Sequence, residues 1–152
     1  MKMLHRCLVV GVVCVMQSCA GPGPIRPADP EACAGSWSAA WYDGGVDRGV
    51  GTVRIGADGS VDGLLRDDAY NSAEWNQPVG AFLKGRVARD GSFQGSIAWS
   101  SGRAGWNLVG NLGTEPSGAL RLQASPPGGV DDAMRTLTVT LRRADPQRSV
   151  ER

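Results

Sequence analysis

Few residues in this chain are equipped for chemistry, and their spacing narrows the options. Adjacent carboxylates occur twice, as Asp67-Asp68 and Asp131-Asp132. Two carboxyl groups facing each other across a cleft would suit glycoside hydrolysis. Both pairs fall in segments read as loops, where neighbouring side chains point apart, so they are read as solvated acids. The glycine-rich stretches do not follow a strand and open a helix, and a phosphate cradle is not indicated. The tryptophans are more informative: five in 152 residues, at 37, 41, 75, 99 and 106. Trp37 and Trp41 lie four apart in one strand-like run and share a face. With Trp99 and Trp106 they are candidates to line one end of a barrel and bind a small apolar or aromatic ligand. The alternative is that all four fill the core. Tyr70 and Trp75 stand in the polar segment 67–78 (DDAYNSAEWNQP), where loop aromatics on a rigid scaffold suit partner recognition. They would equally serve as a lid folded over the barrel end.

The N-terminus supplies a different chemistry. Lys2 and Arg6 give a short positive region, and Cys7–Met16 (CLVVGVVCVM) is apolar but too short to span a bilayer. Met16-Gln17-Ser18-Cys19 follows. This resembles the lipobox read by bacterial signal peptidase II, with a small residue at −1 and cysteine at +1; Met16 stands where leucine is usual. The resemblance implies a lipoprotein whose signal peptide is residues 1–18. Cys19 would carry a diacylglycerol thioether and a further acyl chain on the new amino group. Several chains anchor a protein stably where one binds reversibly. The alternative is an ordinary secretory signal with an incidental cysteine. Ala20 at +2 differs from the aspartate that resembles an inner-membrane retention signal, so the outer membrane is the expected address if the source is Gram-negative. The domain would then sit in the cell envelope, on its periplasmic or its surface side.

Cleavage would simplify the chemistry. The one histidine, His5, would leave with Cys7 and Cys14. Without histidine there is no Ser-His or Cys-His nucleophile and no usual zinc site. The chain is therefore expected to be no enzyme, with no metal and no cofactor. Cys33 would be the one thiol left, either a buried bystander or one half of an intermolecular disulfide. The 16 Lys+Arg, less Lys2 and Arg6, leave 14 against 15 Asp+Glu. No basic stripe exists to hold a nucleic acid.

The elements that must position these residues follow from periodicity. Residues 19–34 read as the lipidated cysteine and a proline-rich linker, 35–143 as one domain, and 144–152 as a frayed tail. Within the domain the dominant period is two. Eight strand-like runs are expected: Ser36–Tyr42, Gly51–Ile55, Ser60–Arg66, Val79–Ala88, Ser92–Trp99, Gly105–Leu112, Ala119–Ala124 and Arg135–Arg142. Asp58-Gly59 and Asp90-Gly91 are hairpin signals. They belong to a weak repeat, IGADGSVDG at 55–63 and VARDGSFQG at 87–95, with GTEPSGAL at 113–120 as a degraded third copy. The Asp and Ser of these segments are read as turn formers and not as calcium ligands, which would need more oxygens at fixed spacing. One dry and one wet face, with Gly63, Gly85, Gly95 and Gly110 on the dry one, predict a small antiparallel up-and-down β-barrel. A two-sheet sandwich is the alternative.

Gly35-Ser36-Trp37, Trp41-Tyr42-Asp43 and the hairpin 51–63 resemble the calycin-type barrels, the avidin family in particular. The resemblance implies the barrel and a ligand mouth lined by tryptophan. Avidins hold biotin with Asn, Ser and Tyr groups. Here Asp43 stands in place of the Asn, and the Ser is displaced by a loop read at Gly44–Val50, so biotin is not expected. Two functions follow from the residues: a non-enzymatic binding or scaffold module meeting an envelope protein through its rim loops, or a small-ligand barrel with a tryptophan-lined pocket.

Overall fold

A computed structural model describes residues 26–68, 79–128 and 135–143. The chain order is β1 (Arg26–Pro27), α1 (Pro30–Cys33), β2 (Gly35–Asp43), β3 (Val46–Ile55), β4 (Ser60–Asp67), β5 (Val79–Val87), β6 (Ser92–Trp99), β7 (Trp106–Thr114), β8 (Leu120–Ser125) and β9 (Leu137–Arg143). From β2 to β9 each strand pairs antiparallel with the next. The ladder then closes, because β9 pairs with β2 from Trp37↔Arg143 to Asp43↔Leu137. One continuous ring of hydrogen bonds is an up-and-down barrel, which excludes the sandwich and leaves no open edge among β2–β9.

Strict alternation points one residue in two inward. Trp41, Leu83, Ile97, Leu137 and Val139 are fully buried there, with Val53, Ile55, Leu65, Phe93 and Leu108 beside them. The inward glycines leave no vacancy. Gly85 and Gly95 face each other across β5 and β6, and a Cβ on either would lie 2.5 Å from the Phe93 ring. Phe93 thus fills the space that the two glycines omit, and the interior is packed by its own side chains.

The two ends differ. At one, the turns 56–60 and 88–92 repeat the same geometry. Gly59 and Gly91 adopt φ +84° and +81°, a conformation that favours glycine. Asp58 and Asp90 each accept from the backbone N–H and the hydroxyl of the serine two residues on, at 2.6–3.0 Å. The degraded copy keeps the backbone: Gly118 N–H bonds to Glu115 O, as Gly59 does to Gly56 O. These serine bonds hold the carboxyls of Asp58 and Asp90 below the usual aspartate range. A lowered folded value means that this support is complete above the ordinary pKa, ~3.9, and is lost as pH falls from there through the lowered value. Thermal melts from pH 5 to 2 should show a steeper acid loss in the wild type than in Asp58→Asn/Asp90→Asn. Parallel curves would remove the serine bonds as its cause.

The segment read as linker is partly built into this end. Strand β1 pairs with the overhang of β7 that β6 leaves uncovered, Arg26 opposite Thr114. Ala28 N–H donates to Leu112 O and Ala28 is 1% exposed. Asp29 caps the single turn α1, accepting from Glu31 N–H. Trp37 Nε1 donates to Cys33 O at 3.0 Å, and the Arg143 guanidinium lies 4.7 Å from the Trp37 ring. Residues 26–34 therefore close this end, and the packed unit, expected to start near Gly35, reaches back at least to Arg26. Cys33 is buried, which pushes its thiol pKa up.

Candidate functional site at the open end

The other end carries the turn 44–45 and the longer connections after β4, β6 and β8. The expected loop Gly44–Val50 is mostly strand. Gly44 and Gly45, at φ +58° and +83°, make a two-residue reversal, and β3 starts at Val46. The register slips just beyond: Trp41 pairs with Gly49 but Tyr42 pairs with Asp47, which leaves Arg48 as the extra residue of a bulge. Asp47 steadies the bulge by accepting from Gly49 N–H, and Gly49 sits at φ +142°. A Cβ there would lie 2.3 Å from Arg66 O, so glycine is required.

The bulge aims Arg48 at the barrel mouth. Its Nη2 reaches Asp67 Oδ2 at 2.6 Å, with the side chains 14% and 0% exposed. Asp67 is thus no solvated loop acid. It ends β4 on the inward phase of Val61, Gly63 and Leu65, in the bottom layer of the mouth. Trp99 Nε1 donates to the same Oδ2 at 3.2 Å, and Trp41 Nε1 to Arg66 O at 2.9 Å. Asp67 Oδ1 is buried and has no hydrogen-bond partner among the described residues. Asp68 does behave as a surface acid, exposed and paired with Arg66 at 2.6 Å. Asp131-Asp132 lie outside the described residues.

Above this layer Trp106 meets Trp99 edge to face, ring centroids 5.1 Å apart at 75°. The Arg103 guanidinium lies 4.9 Å from the Trp99 ring and 5.8 Å from Trp106, and Arg135 lies 5.7 Å from Trp106. Trp106 is partly buried and Arg135 exposed, so this indole–guanidinium stack meets solvent. Of the four tryptophans expected together, Trp41, Trp99 and Trp106 share this end. Trp37 does not: four residues of strand separate it from Trp41 by about 13 Å, and it closes the opposite end. Trp41 and Trp99 are buried at 0% and 5%, with their N–H groups already bonded to protein, which is core work rather than ligand lining. Tyr70 and Trp75 lie outside the described residues, as do residues 1–18 and Cys19.

Of the four residues that organise this end, sequence reading overlooked Arg48, Arg103 and Arg135 and took Asp67 for a solvated loop acid. A signal existed for two. Continuing the inward phase of β4 by one step reaches Asp67, and Asp47-Arg48-Gly49 pairs an Asx residue with a glycine, as a bulge needs. Chemically the rim offers flat apolar faces edged by guanidinium N–H donors. That suits carboxylates, carbonyls and aromatic side chains of a partner. Among the described residues, no group of three or more His, Cys, Asp or Glu side chains could hold a metal ion, and no helix is long and apolar enough to cross a membrane.

No protein-family model matches the chain, and no curated protein does. Among solved structures it is similar to a redesigned β-barrel, at 13% identity and a TM-score of 0.48, over 76% of this chain and 95% of that one.

Proposed function

We propose that this chain is an envelope lipoprotein, held to the membrane through Cys19, whose barrel is a non-enzymatic binding module that meets a partner protein with its open end. The observation that carries this reading is the polarity of the barrel. The N-terminal segment enters at the closed end, where Arg26 pairs with Thr114, while Trp106, Arg103 and Arg135 stand at the other. Seven residues from Cys19 to Arg26 span at most about 25 Å, so an anchored barrel keeps its closed end near the lipid and turns its rim outward. Tryptophan and arginine are the side chains that most often dominate a protein contact. The packed interior counts against an internal ligand pocket, the second function considered from sequence.

Two experiments test it. Cys19→Ser should abolish labelling with a fatty-acid analogue and release the protein from the membrane fraction; unchanged labelling would refute the anchor. A partner captured from detergent-solubilised envelope should be lost or weakened at least tenfold by Trp106→Ala with Arg135→Ala, two rim changes of about 1.4 kcal/mol or more together. Capture that is indifferent to both would move the contact elsewhere.

A further inference from the structure

The outer wall of β4 and β5 carries an unusual pattern. Leu64 and Phe82 are directly opposite across the two strands and are 55% and 43% exposed. One row toward the closed end, Asp62 and Lys84 are also directly opposite, and Arg54 on β3 faces Asp62 from the other side. No ion pair forms among these three, although the row reads plus, minus, plus. Most exposed large apolar side chains are single and need no explanation. Here an apolar pair sits beside an unused charge pair in the same register.

We propose that this wall is the contact between two copies of the chain. A two-fold axis running along the strands between β4 and β5 exchanges the two strands while keeping every row level. Leu64 then meets the other copy's Phe82, and Asp62 meets its Lys84, each contact occurring twice, as an isologous interface requires. Moving the axis onto β4 would set Asp62 against Asp62, so the charges select the position. The same axis leaves both closed ends on one side, as two chains tethered to one membrane need. Two convex walls touch over few strands, well below a standard interface. The dimer is therefore weak in dilute solution and strengthened where tethering raises the effective concentration. This contact is independent of the rim.

The test is sedimentation of the intact chain in mild detergent, with micelles in excess, up to about 100 µM. A concentration-dependent dimer is expected. Leu64→Glu, and separately Asp62→Lys, should raise its Kd at least tenfold. Adding Lys84→Asp to Asp62→Lys should restore it. A monomer at every concentration, or a dimer indifferent to these changes, overturns the proposal. Should a variant fail to fold, Leu64→Cys copies mixed with Phe82→Cys copies give an independent measurement. A disulfide between the two types supports the contact, and its absence under oxidation overturns it. Partner capture by Leu64→Glu should be unchanged, which separates failure here from failure of the rim reading.

Discussion

Trp41→Ala is expected to destabilise the barrel by about 4 kcal/mol, the largest effect of any single truncation considered. Trp41 is wholly buried, and removing its indole opens a cavity that a closed ring of strands cannot collapse to fill. The Arg66 carbonyl would also lose the Nε1 hydrogen bond, and the guanidinium of Arg48, 5.7 Å from the ring, would lose that face. For a domain of this size the midpoint of thermal unfolding should fall by roughly 10–20 °C. Trp41→Phe separates the terms. It keeps most of the apolar volume and loses the N–H donor, so it should cost about 1–2 kcal/mol. Urea denaturation of the three proteins reads both numbers. A cost for Trp41→Ala below about 1.5 kcal/mol would mean that the buried layer at the bottom of the mouth repacks around the missing ring.

Removing Asp67 should be nearly as costly, by a different mechanism. Asp67→Ala leaves the guanidinium of Arg48 largely buried without its carboxylate, and Trp99 Nε1 without its acceptor. Breaking a buried pair from one side costs about 3–5 kcal/mol. Since Arg48 keeps 14% of its side-chain surface in solvent, the lower end, about 3 kcal/mol, is expected. Removing both partners is another matter. Asp67 Oδ1 is buried with no hydrogen bond among the described residues, so the pair carries desolvation that it does not fully recover. Arg48→Met with Asp67→Leu should therefore return to within about 1 kcal/mol of the wild type. A double variant as unstable as Asp67→Ala would show that the pair is a net source of stability. If the double variant is stable but fails to capture the partner, the pair's work is orientation: it sets Trp99, against which Trp106 and Arg103 stack.

These two residues also show how sequence and tertiary structure divide the outcome. Period-two alternation is a local property, because successive side chains of a strand point to opposite faces. It marked almost the whole inner face, from Trp37 and Val53 to Leu141, and the turns Asp58-Gly59-Ser60 and Asp90-Gly91-Ser92 needed only their own residues to form. The inward glycines indicated a small closed barrel for the same local reason, since they relieve crowding inside a tight curve. Closure itself rests on β2 meeting β9, a pairing of residues about a hundred positions apart that no window of sequence contains.

The candidate site was legible only in part. Trp41, Trp99 and Trp106 could be seen to face inward, but not that Trp37, on the same face, belongs to the other end. Face is set by parity along a strand, whereas end is set by where the strand sits in the ring. Asp67 looked like a loop acid because a carboxylate is costly to bury. Only Arg48, delivered from another strand by a one-residue bulge, makes that burial tolerable. Residues 26–34 carry no apolar period and read as linker. They pack because β7 outruns β6 and leaves backbone groups that Arg26–Ala28 satisfy. The sequence by itself determined which residues are dry and where the chain turns, since both depend on neighbours along the chain. Tertiary structure alone decided which dry residues share an end, which charge can be buried and which segment closes the barrel, because each depends on a partner that is distant in sequence and adjacent in space.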